Sequence, residues 1–183
     1  MNQNLNAFSG GIMSELAMNK NNGESIAEQY LTFMLADETF GLEILNVKEI
    51  IAYDNLAKVP LMPDFIAGVI NLRGNVVPVI DLSQRFAGPP ATITKRTSII
   101  ILELRGEDLH LDIGIIVDLV NEVLDIMPEE IEPAPSFGTS IRTDFIKGMG
   151  KVGGKLLVLL DITYVLSIDE LSVVGGLQAQ TES

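Results

Sequence analysis

The chain has 183 residues, of which 47% are hydrophobic and 20% charged, and a formal net charge of −13. That charge opposes non-specific binding to DNA, RNA or anionic membranes and leaves room for a partner with a basic face. There is no cysteine, so no disulfide, and no apolar run approaches the ~18 residues that span a bilayer.

Residues 1–27 are rich in Asn and Gly, among them Asn2, Asn4, Asn19, Gly10 and Gly11, and carry no sustained apolar period. They are expected to be a disordered tail, with Ser14–Met18 as a short segment able to form a helical turn. They lack the basic start, apolar region and small-residue cleavage site of a signal peptide. Residues 28–174 read as the folded part. Strands are predicted at Tyr30–Leu35, Phe40–Ile44 and Glu49–Tyr53, with a turn over Asn46–Lys48. A hairpin follows, Ile66–Leu72 and Val76–Asp81, turning through Arg73-Gly74-Asn75. Pro78 lies inside its second strand, where the missing N–H requires an edge or a bulge. Further strands are predicted at Thr97–Leu104, Leu109–Val117 and Leu119–Ile126, then a hairpin of Ile146–Val152 and Leu156–Asp161. Short helices are predicted at Leu82–Phe86, Ile162–Leu166 and Ile168–Val173; Asp81 and Asp161 stand where the first two need a cap. Residues 175–183 read as a second tail.

The order of elements repeats. With an offset of 80, Phe65, Ile66, Gly68, Gly74 and Asp81 coincide with Phe145, Ile146, Gly148, Gly154 and Asp161. Upstream, Gly41, Val47 and Glu49 match Gly114, Val120 and Glu122 with an offset of 73, so the second copy gains seven residues, around Pro128–Thr143. One structural unit has been used twice. The prediction is all-β: two intertwined five-stranded barrels with short helices, related by the repeat, their cores at roughly 40–95 and 96–166. Barrels of ~70 residues are marginal alone, so the two should share an apolar interface. The groove between them is a natural recognition site.

No catalytic or cofactor motif survives inspection. Gly148-Met-Gly150-Lys-Val-Gly153 has the GxGxxG spacing, but the repeat makes it a β-hairpin and no helix follows it. His110, the single histidine, has no nucleophile elbow beside it. Asp108, His110 and Asp112 share a strand face and read as a solvated surface, although that face is where a metal would sit. No metal and no cofactor is expected.

Phe40-Gly-Leu-Glu-Ile-Leu-Asn-Val-Lys-Glu-Ile50, Phe65-Ile-Ala-Gly-Val-Ile-Asn-Leu-Arg-Gly74, Val77-Pro-Val-Ile-Asp-Leu82, Gly114-Ile-Ile-Val-Asp118 and Phe145-Ile-Lys-Gly148 together resemble the CheW family, the coupling proteins of bacterial chemotaxis. The resemblance covers about 30–172. It implies that the barrels are SH3-like and non-catalytic. It implies partners: the cytoplasmic tips of chemoreceptors and the regulatory domain of the histidine kinase CheA, with which the family forms rings. It implies a cytoplasmic protein recruited to membrane-associated receptor arrays, with no nucleic acid and no membrane insertion. The chain lacks the acidic strand-end cluster of the receiver domain that the CheV type adds, and reads as a stand-alone coupler. Carried residue by residue, the resemblance puts the receptor groove at Ile44, Val47, Glu49, Arg73, Ser98 and Ile99, Ser98 departing from the family's apolar pattern. It puts kinase contacts near Gly68 and at Phe137. The alternative reading is a small-molecule sensor using the groove between the barrels.

The repeat weighs these candidates. Gly153 occupies the place of Arg73, so folding does not demand arginine there and function is favoured. Glu122 matches Glu49, so structural and functional roles both stay open. A Glu49–Arg73 pair that orients the arginine would reconcile them. Ile44 and Val47 are apolar in both copies (Val117, Val120), the pattern of a core unless they line a groove. Phe137, in a Pro-rich loop, reads either as an interface anchor or as packing over a barrel end.

Overall fold

A computed structural model describes residues 26–108, 110–134, 143–166, 170, 172 and 175–176. The expected tail before residue 26, the kinase contact Phe137 and most of the expected helix over 168–173 lie outside the described residues. The strands are β1 (Glu28–Leu35), β2 (Glu38–Glu43), β3 (Val47–Ala52), β4 (Ile66–Leu72), β5 (Asn75–Asp81), β6 (Ser98–Arg105), β7 (His110–Val117), β8 (Leu119–Ile126), β9 (Ile131–Glu132), β10 (Ile146–Val152) and β11 (Lys155–Leu160), with one short helix, α1 (Leu82–Arg85). The turn expected at Asn46–Lys48 is a 3-10 turn two residues earlier, Ile44–Asn46, and β3 starts directly after it. The segment after β11 is a 3-10 turn, Ile162–Tyr164. Both aspartates cap as expected: Asp81 Oδ1 accepts from Gln84 N (3.3 Å) and Asp161 Oδ1 from Thr163 N (3.1 Å).

The strands form two sheets, ordered β8-β1-β2-β11-β10-β9 and β3-β6-β7-β5-β4. The repeat pairs β1 with β6, β2 with β7, β3 with β8, β4 with β10 and β5 with β11. Applied to the second sheet it reproduces the first five strands of the first. The two SH3-like barrels are therefore interleaved: each chain half lends two strands to the other's sheet. Both copies carry the same parallel contact, Val79↔Gly114 in one and Leu159↔Gly41 in the other. The gained residues include β9, which pairs with Met149 and Gly150; the first copy has only a bridge, Ala57↔Val69, at the matching place.

That bridge also resolves Pro78. Val69 exchanges both backbone hydrogen bonds with Ala57 (2.8 and 3.0 Å), so the Val69–Pro78 pair asks nothing of the proline nitrogen. Pairing with β7 begins only at Val79. Proline therefore sits where β5 is still locally an edge.

Alternation divides the core into three. Val77, Val79, Ile99, Ile101 and Ile116 fill one barrel, and Tyr30, Ile126, Leu157 and Leu159 fill the other. The largest cluster lies between them and draws on both sheets, including Leu31, Phe33, Phe40, Leu42, Ile80, Ile100, Leu102, Ile113 and Leu160. This is the shared interface that barrels of this size require, and each fully buried Leu, Ile or Phe contributes about 1.5–3 kcal/mol. An aromatic row runs through it: Phe33–Phe40, Phe40–Phe86 and Phe86–Phe145, with ring centroids 5.8, 6.0 and 5.7 Å apart.

One ionic clasp closes the first sheet. Lys147 Nζ donates to Tyr30 Oη (2.9 Å), Glu28 Oε2 (3.1 Å) and Glu43, and Tyr30 Oη donates to Glu28 (2.7 Å). Burial pushes the Tyr30 hydroxyl up to about 12. Burial alone would lower the Lys147 value, but the bonds to Glu43, Tyr30 and Glu28 outweigh it and hold the ammonium above the usual lysine range. The Tyr30 hydroxyl, then Lys147, hold Glu28 below the usual glutamate range. Raised tyrosine and lysine values give stability that is complete below about pH 10 and is lost as pH climbs toward 12; the lowered glutamate value gives stability lost as pH falls below about 4.5. Urea midpoints are expected to be flat from pH 6 to 9 and to fall above 10. Tyr30→Phe removes the hydroxyl whose value burial raises and should make that alkaline limb shallower, and an unaltered limb would show that the clasp does not carry it.

Candidate functional site

The β4–β5 hairpin turns through Arg73 and Gly74, with φ of +53° and +87°; its counterpart turns through Gly153 and Gly154, at +58° and +77°. Both central residues of such a tight turn need positive φ, which suits glycine and strains a side-chain-bearing residue. Asn71 Oδ1 accepts from Gly74 N (2.9 Å) and locks the first turn. Arginine therefore stands at a position whose backbone favours glycine, and the second copy shows glycine used there.

Arg73 Nη2 lies 2.9 Å from Glu49 Oε2, so the structure brings together the two residues that the sequence left as a possible pair. Arg73 is 75% exposed and Glu49 21%. The pairing depends on a bulge: register shifts between Val47 and Glu49 on β3, so that Val47 faces the central cluster while Glu49 turns onto the face toward β4 and β5. Lys48, the bulged residue, reaches Asp112 Oδ2 at 2.7 Å. Two aliphatic side chains of the same segment are exposed, Leu45 (90%) and Ile50 (44%).

The other expected groove residues divide. Ile44 and Val47 are half-buried against the central cluster and keep a partly open face. Ser98 is half-buried; its hydroxyl donates to Arg96 O (3.3 Å). Ile99 does not belong to the surface. It is fully buried in the core of its barrel and presents nothing to a partner. Gly68 is likewise buried: an added Cβ would lie 2.7 Å from Ala57 O and 2.9 Å from Leu56 Cβ. Its role is to let the chain before β4 lie on the strand, as Gly148 does against Glu132 O, and any contact there must come from the overlying segment, where Leu61 is fully exposed.

The expected Asp108–His110–Asp112 face is different in the structure. Asp108 lies outside it, and Glu103 from the neighbouring strand joins His110 and Asp112, with ligand atoms all within 4.8 Å. These are the residues that could hold a cation. They already have partners: Arg105 pairs with Glu103 (2.7 Å), His110 Nε2 lies 2.7 Å from Glu103 Oε1, and Lys48 pairs with Asp112. The arrangement is an ion-pair network at the end of the barrel-side face of β6 and β7, in line with Ile99, Ile101 and Ile116.

Arg85 was not singled out from the sequence. Its guanidinium stands 4.9 Å from the ring centroids of both Phe65 and Phe145, donates to Val165 O (2.6 Å), and meets Glu170 at 3.2 Å. The repeat contains the signal: Phe65 and Phe145 are counterparts, and so are Arg85 and Val165.

Between the barrels lies the apolar cluster, while two open clefts lie on the individual barrels. Two SH3-like barrels with one shared core, outward hairpin tips and exposed aliphatic side chains on edge strands define a double-barrel scaffold module. The CheW-like domain family matches residues 29–170, and the chain belongs to that family. It is 39% identical over 154 residues to the chemotaxis protein CheW of Klebsiella aerogenes, covering 84% of this chain and 90% of that protein. It is 37% identical over 140 residues to the chemotaxis protein CheW of Bacillus subtilis, covering 76% and 86%. The crystal structure of the scaffolding protein TtCheW from Thermoanaerobacter tengcongensis superposes with a TM-score of 0.71 at 36% identity, covering 79% of this chain and 91% of that one.

Proposed function

We propose that the chain is a non-catalytic adaptor that couples the cytoplasmic tips of chemoreceptors to the histidine kinase CheA in membrane-associated signalling arrays. One observation supports this most: Arg73 is held outward by Glu49 at a turn whose backbone favours glycine. A receptor tip of paired helices would lay an aliphatic stripe on Leu45, Ile50 and the open faces of Ile44 and Val47, and give a carboxylate or carbonyl to Arg73. Ser98 borders this surface, and Ile99 supports it from beneath. Kinase contacts fall to Phe137 and to the segment over Gly68. The apolar filling between the barrels favours this reading over a small-molecule sensor.

The test is titration of receptor-tip and CheA regulatory-domain fragments against the chain, with a double-mutant cycle on Glu49→Ala and Arg73→Ala. Both fragments should bind. If Glu49 acts by orienting Arg73, the double variant should bind receptor no worse than Arg73→Ala alone; additive losses would overturn the pairing, and no binding of either fragment would overturn the adaptor reading.

A further inference from the structure

The same bulge occurs in both copies, and each copy holds it differently. On β3, Lys48 and Glu49 together stand opposite Ile101; on β8, Asn121 and Glu122 together stand opposite Thr32. A bulge disrupts the ladder locally, and a slip of one residue turns the side chains of a strand to its other face, so the position of the extra residue needs a lock. In the second copy the lock is a hydroxyl. The buried Thr32 Oγ1 donates to Glu122 O (2.8 Å) and accepts from Glu122 N (3.2 Å). The side chains around it carry no ion pair for the purpose: Asn121 is uncharged, and the Thr39 hydroxyl donates to Met34 Sδ (3.1 Å). Glu122 lines an open cleft of about 800 Å³ together with Gly153 and Lys155.

In the first copy Ile101 takes the place of Thr32, fully buried among the apolar side chains of its barrel, and has no hydroxyl to offer. The places of Asn121 and Thr39 are taken, at the offset of 73, by Lys48 and Asp112. These two pair at 2.7 Å, with Lys48 44% exposed and Asp112 17%. In the sheet β6 lies between β3 and β7, so the pair crosses β6 beside the bulge and ties the extra residue of an edge strand to a strand inside the sheet. Each copy thus has one device and lacks the other.

We infer that the Lys48–Asp112 pair is the lock of the first bulge and thereby a positioning element for Arg73: it fixes where Glu49 stands, and Glu49 holds the guanidinium at 2.9 Å. The role requires no contact between either residue and a partner. An ion pair takes over from the hydroxyl because the first barrel fills the hydroxyl's place with isoleucine, and the lock moves to the side chain of the bulged residue itself. The effect on binding rests on the reading of Arg73 as a receptor contact; the effect on the Glu49–Arg73 pair does not.

The test copies the second lock into the first. Lys48→Asn combined with Asp112→Thr removes one charge of each sign, so the net charge of −13 is kept. In the full-length chain, the Arg73 Nε–H resonance should move toward that of free arginine. Affinity for a receptor-tip fragment should fall about threefold, the worth of a partly exposed ion pair, while affinity for the CheA regulatory-domain fragment stays as it was. Adding Ile101→Thr should return both signals toward the wild type, its hydroxyl meeting the Glu49 backbone as Thr32 meets that of Glu122. Adding Ile101→Val, which has the same shape without the hydroxyl, should not. An unmoved Arg73 resonance in the double variant would overturn the inference, and so would rescue by valine as good as by threonine. A resonance that moves and is rescued by threonine alone, with receptor affinity constant throughout, would uphold the lock and remove Arg73 from the receptor surface.

Discussion

Replacing Arg73 by glycine is expected to weaken receptor binding while leaving the fold as stable as before or more so. The two effects separate because they arise from different atoms. A side-chain-bearing residue in the left-handed region costs about 1–2 kcal/mol, which glycine does not incur. Against that stands the Glu49 ion pair, which at 75% exposure of Arg73 is worth only about 0.2–1 kcal/mol. Arg73→Gly should therefore raise stability by roughly 0–1 kcal/mol, an increase of up to about 4 °C in Tm. Arg73→Ala keeps the strain and loses the pair, so it should be about 1 kcal/mol less stable than the glycine variant. Both should lose receptor affinity, on the order of 10–100-fold for a charge-assisted contact. Thermal unfolding and receptor titration on the same preparations check this. A glycine variant no more stable than the alanine variant would show that the turn is unstrained; retained affinity in both would remove Arg73 from the receptor surface.

Arg85→Met is expected to have the opposite signature: a large loss of stability with no direct effect on a binding face. The arginine is mostly buried and joins equivalent parts of the two copies, lying over Phe65 and Phe145 and donating to the carbonyl of its own counterpart, Val165. Methionine keeps much of the volume, but it leaves the Val165 carbonyl and Glu170 without the guanidinium. Two cation–π contacts and a charge-assisted bond of this burial together amount to about 2–4 kcal/mol. At roughly 2–4 °C per kcal/mol, Tm should fall by about 5–15 °C. Circular dichroism melts measure it directly. A loss below about 1 kcal/mol would mean that the barrels hold together through the apolar cluster alone.

The same offset of 80 that isolates Arg73 against Gly153 also isolates Arg85 against Val165 and Lys147 against Ala67. Only the structure tells the three apart. Lys147 clasps three strand ends within one sheet, Arg85 staples one copy to the other, and Arg73 points outward from a turn. A difference between copies is evidence that folding does not dictate the residue at that position. Whether the freed position serves packing or binding depends on what lies across from it, and an offset contains no such information.

Ile99 shows the same limit from another side. The run Ile99-Ile-Ile-Leu102 is apolar on both faces of β6, because odd positions enter the barrel and even positions enter the cluster between barrels. Period-two alternation reveals an inside only when the other face is polar, and here neither face is. The sequence therefore could not separate a groove residue from a core residue. Gly68 misleads for a related reason: its lack of a side chain serves a neighbouring backbone that is distant in the local pattern.

By itself the sequence determined that this protein is two copies of one β unit, where each hairpin turns, which aspartates cap, and that its family is CheW-like. Those are local properties: turn chemistry, capping and repeated spacing act within a few residues and survive without any partner strand. Tertiary structure alone decided which strands the copies exchange, that Glu49 reaches Arg73 through a bulge, and that Glu122 faces an open groove. Each of these depends on pairing between segments far apart in the chain, where burial and register, and no local preference, choose the neighbour.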